Sequence, residues 1–175
     1  MKKQLSILAT MGILLAQASP ATAAEPQTVQ ATAIKQITIE DITAEGVRSR
    51  QIDSVIGLLK KRVGRTWYVF SGGTPNGWDC SGLTMWAYEQ LGVVLPHSAN
   101  KQARAGSRVA APQVGDLVLF GYQGTNTYFH ASIYIGNNKV IHAGFKKGQT
   151  TSVLDLSSAS VKNTKMKFVR VNLDG

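Results

Sequence analysis

Cys80 is the only cysteine in the chain, and its thiol is the most reactive side chain the sequence offers. It sits in the run Trp78-Asp79-Cys80-Ser81-Gly82-Leu83, which opens a helical stretch that reaches Leu91 and is closed by Gly92. A cysteine near a helix N-terminus meets unpaired N–H groups and the positive end of the helix dipole, both of which favour the thiolate. The thiolate is the nucleophilic form, so this placement predicts a lowered thiol pKa. The competing reading makes Asp79 or Ser81 a simple helix cap and Cys80 a small buried hydrophobe.

A cysteine nucleophile needs a base that can hold a proton near neutral pH, and histidine is the usual choice. The candidates are His97, His130 and His142. His130 lies in residues 129–135 and His142 in residues 139–143, both read as strands, with Gly136-Asn137-Asn138 between them. If those three residues form the loop, position 132 opposes 142, and the two histidines are diagonal neighbours on one sheet face. A two-residue loop puts them on opposite faces. With the odd loop, His130 is the base and His142 hydrogen-bonds its other ring nitrogen, orienting the ring as in a triad. His97 follows Pro96 in a connecting segment and reads as a groove-lining or surface residue. One thiolate and three imidazoles could bind zinc, yet no pair has the short spacing typical of zinc ligands. Neither a metal nor another cofactor is expected.

The elements that must position these groups follow from periodicity. Ile52, Val55, Ile56, Leu59 and Val63 form one stripe of an amphipathic helix, with Arg48, Arg50, Lys60, Lys61 and Arg62 left for its wet face and Gly64 just beyond. Trp67-Tyr68-Val69-Phe70 is an aromatic run that leads through Ser71-Gly72-Gly73 to the turn residues Thr74-Pro75-Asn76-Gly77. Residues 98–105 could form a short helix capped by Ser98. Residues 116–120, 129–135, 139–143 and 167–171 read as strands, with a weaker one at 152–156. Helices first and antiparallel strands after is an α+β layout.

Composition sets the frame. The 175 residues are 43% hydrophobic and 17% charged, which excludes a disordered chain and supports one compact domain. A single cysteine excludes an intramolecular disulfide, a multi-cysteine zinc site and an iron–sulfur cluster. Lys2 and Lys3, the apolar residues 5–16 and Ala21-Thr22-Ala23-Ala24 form the pattern of a secretory signal peptide over residues 1–24. The apolar run falls short of the roughly 20 residues a spanning helix needs, so stable membrane insertion is not expected. Residues 25–45 read as a polar leader and residues 46–175 as the catalytic domain. The formal charge of +9 favours an anionic partner or surface, and charge alone does not say which one. Scattered lysines and export argue against nucleic acid, and a monomer is expected.

Six segments in family order carry a family resemblance. Residues 68–75 and Gly77-Trp78-Asp79-Cys80-Ser81-Gly82-Leu83 come first, followed by Gly92-Val93-Val94-Leu95-Pro96 and Gly115-Asp116-Leu117. His130-Ala131-Ser132-Ile133-Tyr134-Ile135-Gly136 and Val140-Ile141-His142-Ala143 complete the set. Together they resemble the NlpC/P60 family of bacterial cell-wall cysteine peptidases. The resemblance implies a papain-like fold, with the nucleophile helix packed on an antiparallel sheet. It implies Cys80 as nucleophile, His130 as base and His142 as the orienting residue, with Tyr68 and the Cys80 N–H stabilising the oxyanion. In some relatives the residues matching Asp79 and Ser81 help recognise a free substrate amine. The implied substrate is the peptidoglycan stem peptide, cut between D-glutamate (or isoglutamine) and the diamino residue. Secretion to the exterior, the cell wall or a periplasm follows. An amidase or acyltransferase using the same trio, or a silent wall-binding module, are the alternatives. Departures from the usual pattern are Leu95-Pro96-His97 for Leu-Pro-Arg, Ala131-Ser132 inside the His130 motif, and Phe70-Ser71 before the double glycine. They bear on substrate preference more than on the reaction.

Overall fold

A computed structural model describes residues 39–173. The expected signal peptide and most of the polar leader therefore lie outside the described residues. Helix α1 spans Ile39–Lys60, so residues 39–45 of the segment read as leader are helical. Val55, Ile56 and Leu59 of the expected stripe are buried in the main core, with Ile52 packed against them. Val63 is not part of it: the helix stops at Lys60, Val63 is exposed, and Gly64 donates its N–H to the Thr151 carbonyl at 2.9 Å. Its φ of +71° is a conformation that glycine adopts without strain.

Helix α2 spans Cys80–Glu89 and buries Leu83, Thr84, Ala87 and Tyr88 on one face, the spacing a helix stripe requires. Gly92, at φ +80°, lets Val93 N–H return to the Tyr88 carbonyl. Ser98 caps the short α3, Ala99–Gln102, which is shorter than the sequence pattern indicated.

The sheet contains β3 (Ser107–Val109), β4 (Leu117–Gly121), β5 (Tyr128–Tyr134), β6 (Lys139–His142), β7 (Ser152–Asp155) and β8 (Lys165–Arg170). Its order is β3-β8-β4-β5-β6-β7, antiparallel throughout. A separate two-residue ladder pairs β1 (Gly73–Thr74) with β2 (Gly77–Trp78), where the sequence showed only turn chemistry. Leu117, Leu119, Ala131, Ile133, Ile141 and Val169 face the helices. Val118, Phe120, Val140 and their neighbours face the opposite side, under Leu156 and Val161. Both faces of β4 are covered, which is why that strand reads as a continuous apolar run. The architecture is α+β, with the N-terminal helices on a six-stranded antiparallel sheet.

Two features of β5 matter for the site. Its pairing with β4 slips between Phe120 and Gly121, so that Phe120 faces His130 and Gly121 faces Tyr128. Phe129 is the extra residue of this bulge, and bulges re-aim the side chains beside them. At the other end, Ile133 pairs with Ile141 and Tyr134 with Val140, leaving Gly136-Asn137-Asn138 as the loop. All three have positive φ (86°, 51° and 57°), which glycine and asparagine tolerate best. The loop is odd, and the register condition set by the sequence is met.

Candidate active site

Cys80 opens α2, and Asp79 builds the turn that presents it. Asp79 Oδ1 accepts from Gly82 N–H at 2.7 Å and from the Ser81 hydroxyl at 3.0 Å. Oδ2 accepts from Ser71 N–H at 3.1 Å, and His97 Nε2 pairs with Oδ1 at 3.0 Å. Asp79 is thus a helix cap that also anchors the preceding loop. Gly82 lets that loop approach: a Cβ there would lie 1.9 Å from the Gly72 carbonyl oxygen. Beneath the turn, the fully buried Gln102 donates to the Ser81 carbonyl at 2.9 Å and the Pro96 carbonyl at 2.8 Å. Its own oxygen accepts from the Thr84 hydroxyl at 2.7 Å.

The Cys80 thiol is buried and points at the Phe129 carbonyl, with Sγ 4.0 Å from the oxygen. Burial pushes its pKa up, the Ala131 N–H opposes this, and the Asp79 carboxylate adds to the rise. The N–H groups of Ser81 and of Cys80 itself oppose it further. The thiolate expected from the helix terminus is therefore corrected: the amides are present, but desolvation outweighs them and the resting group is a thiol. Tyr68 lies within the same field. Its phenol is pushed up first by burial, then by charge on Cys80 and Asp79.

Phe129 and Ala131, whose backbone groups meet the sulfur, flank His130. The His130 ring is 2% exposed, and its Nε2 is 3.0 Å from His142 Nδ1, so the two histidines meet as the odd loop requires. The rings stand edge to face at 84°, and Phe145 covers both, with centroids 4.3 Å from His130 and 4.9 Å from His142. Phe120 closes the far side of His130 at 5.7 Å. His142 Nε2 is 3.0 Å from the Ser152 hydroxyl.

Burial holds His130 well below the usual histidine value, with the neighbouring His142 adding to the effect, and holds His142 down to about 4. Both imidazoles are neutral at pH 7. Among the described residues no hydrogen bond joins the thiol to His130, and the sulfur instead abuts the backbone on either side of it. The Cys80 thiol and the His130 imidazole are thus both uncharged.

The structure gathers Cys80, Tyr68, Asp79 and Ser81 around the start of α2 and brings His130 on β5 together with His142 on β6. It places His97 at the edge, half-exposed and joined to Asp79. Sequence reasoning missed Ser152, Phe145 and Gln102, whose common residue types give no signal until the register brings them in. Among the described residues no group of three or more His, Cys, Asp or Glu side chains could hold a metal ion.

Comparison with known proteins now bears on this geometry. Residues 65–170 match the model of the NlpC/P60 family. A Mycobacterium tuberculosis protein named "Probable endopeptidase" is 44% identical over 78 residues, 43% of this chain and 19% of the relative. The gamma-DL-glutamyl hydrolase of Bacillus subtilis is 42% identical over 95 residues, 50% of this chain and 22% of that protein. The crystal structure of the NlpC/p60 domain of the peptidoglycan hydrolase SagA superposes with a TM-score of 0.57 at 27% identity, covering 68% of this chain and 98% of that one. The matched region thus spans about a fifth of the length of these two curated relatives.

Proposed function

The chain belongs to the NlpC/P60 family, and from that premise we propose that it is an extracytoplasmic cysteine endopeptidase that cuts peptidoglycan stem peptides. The bond is the one between D-glutamate (or D-isoglutamine) and the diamino residue. One relative's name, a gamma-DL-glutamyl hydrolase, supports that choice. The observation that carries the reading is the Cys80 sulfur lodged against the two backbone groups that flank His130, whose ring is tied to His142.

In this mechanism His130 takes the thiol proton on Nδ1, the nitrogen not engaged with His142, as Sγ attacks the scissile carbonyl carbon. The oxyanion is met by the Cys80 N–H and the Tyr68 hydroxyl, donors fixed in place before charge develops. His130 then gives the proton to the leaving amine, and a water, deprotonated by His130, hydrolyses the thioester. His142 holds the ring. Asp79 and Ser81 form an acceptor pair for a free stem-peptide amine, which would replace His97 at Oδ1. Export through the 1–24 segment delivers the enzyme to this substrate. Among the described residues no helix is long and apolar enough to cross a membrane.

Anionic wall polymers have a plausible landing place as well. Lys60, Lys61, Arg62 and Arg65 are all exposed at the end of α1, and Lys61, Arg62 and Arg65 line a cleft with Leu58 and Trp86. Such a cluster raises the local concentration of a polyanion, an effect that added salt removes.

Digestion of defined muropeptides carrying either diaminopimelate or lysine, read by mass spectrometry, tests the proposal. Wild type should release fragments cut at the D-glutamyl bond, and Cys80→Ala should release none. Cleavage at a sugar–peptide amide instead would assign the same trio to an amidase.

A further inference from the structure

The hydrogen-bonded run that begins at His130 continues past His142. His142 and Ser152 are directly opposed in the β6–β7 ladder, and the serine hydroxyl oxygen is 3.0 Å from Nε2 of the ring. We propose that Ser152 is a positioning residue that sets the tautomer of both histidines, and so decides which nitrogen of His130 is free to receive a proton. This rests on the assignment of His130 as the base.

A neutral imidazole has one N–H and one lone pair. With His130 Nε2 on His142 Nδ1 and His142 Nε2 on Ser152 Oγ, protons can be laid along the run in two consistent ways. In the first, Ser152 accepts from His142 Nε2–H. The Nδ1 of His142 is then a lone pair and accepts from His130 Nε2–H, which leaves the free lone pair of His130 on Nδ1. In the second, Ser152 donates to His142, His142 donates from Nδ1 to His130, and His130 carries its hydrogen on Nδ1. Only the first arrangement can take the thiol proton.

Three features favour the first arrangement. Ser152 is half-buried, so its hydroxyl hydrogen can turn to water while its oxygen faces the ring. His142 is 3% exposed, so water is a poor substitute for that oxygen. The depressed basicity of both rings keeps them neutral at working pH, and protonation does not erase the tautomer. Removing the hydroxyl leaves His142 Nε2–H without its acceptor and lets the run reverse.

The test uses the full chain, labelled with 15N-histidine, as wild type, Ser152→Ala and Ser152→Thr. Nitrogen NMR at pH 7 reads the tautomers, and turnover of a defined muropeptide gives kcat and KM. Wild-type His142 should carry its proton on Nε2. Ser152→Ala should lose that preference and lose about tenfold in kcat, the factor one average hydrogen bond supplies, with KM unchanged. Ser152→Thr should restore both. A wild-type His142 protonated on Nδ1, or a Ser152→Ala enzyme with wild-type kcat, overturns the proposal. If Ser152→Ala does not fold, the wild-type spectrum and the threonine variant decide. His130→Ala, assayed alongside, separates the two levels: full turnover there removes the base itself, whatever the Ser152 variants do.

Discussion

At its first turn α2 presents a buried thiol beside a carboxylate and two neutral imidazoles, and at its last turn it presents Tyr88 beside an ion pair. The Tyr88 hydroxyl donates to the Gly115 carbonyl at 2.7 Å, and the next residue, Asp116, takes Arg170 in a two-point pair at 3.0 and 2.8 Å. Asp116 also accepts from Gln113 N–H, and Arg48 reaches the Val171 carbonyl. Every strong donor and acceptor named at that end has its complement. At the other end burial keeps the Cys80 thiol and the His130 ring uncharged, and the amides that favour the thiolate do not outweigh it. One end of the helix locks the fold together. The other holds a thiol and two imidazoles uncharged, an arrangement the rest of the fold must stabilise.

The sharpest way to break this contrast is to remove the proposed base. His130→Ala should lower kcat/KM by about a thousandfold, within the range that general acid–base catalysis contributes. Its melting temperature should fall as well, because the substitution opens a cavity between Phe120 and Phe145 and takes the partner from His142 Nδ1, so kcat/KM is compared on the folded enzyme. His142→Ala should cost less, since it orients and does not transfer the proton. An active His130→Ala enzyme would falsify the division of labour between the two helix ends.

The same neutral histidines make stability depend on pH. Their folded values lie below the unfolded value of 6.5, and His142 is held to about 4. Between those pH values the unfolded chain binds more protons, so stability rises with pH across the window. It is fully present above about 6.5 and is lost as pH falls towards 4. His142 alone accounts for about 3 kcal/mol of that change. Urea midpoints should drop between pH 7 and pH 4.5, and His142→Asn should flatten the dependence. A wild-type midpoint that stays level would mean the imidazoles are solvated after all.

At the opposite end, Arg170→Ala leaves the buried Asp116 carboxylate with the Gln113 N–H as its remaining hydrogen-bond donor among the described residues. Breaking a buried pair costs several kcal/mol, but Arg170 is about one-third exposed, so about 2 kcal/mol is expected. Denaturation should show the loss while kcat/KM of the folded enzyme stays put. A drop in turnover at unchanged stability would reverse the assignment of roles.

How far the sequence disclosed this arrangement depended on residue rarity and on burial. Cys80, His130 and His142 stood out because those types are scarce, and Gly136-Asn137-Asn138 marked a turn whose length only the β5–β6 register decides. Strands β4 to β6 were legible within a residue or two because a core on both faces makes them short, largely apolar runs bounded by turn residues. Strand β3 has three residues, is largely exposed and is held by β8, so no local pattern marks it. The first turns of α1 carry no apolar stripe, which is why residues 39–45 read as leader. Ser152 is ordinary in sequence and becomes informative only once β7 pairs with β6.

The smallest expected effect isolates charge from shape at the active end. Asp79→Asn keeps the Oδ1 acceptor for Gly82 N–H, and asparagine caps helices as well as aspartate does, so stability should change by less than about 1 kcal/mol. What disappears is the negative charge that helps push the Cys80 thiol up, third in size after burial and the opposing Ala131 N–H. Iodoacetamide alkylation followed against pH reads this directly, since the thiolate is the species that reacts. The wild-type midpoint should lie above the ordinary thiol value of 9.0, and the variant's midpoint should lie below the wild type's. The substitution also weakens the contact that holds His97 while keeping the cap. Identical midpoints in the two proteins would show that Asp79 acts on Cys80 through geometry alone. The active end would then differ from the Tyr88 end in burial and not in the use of charge.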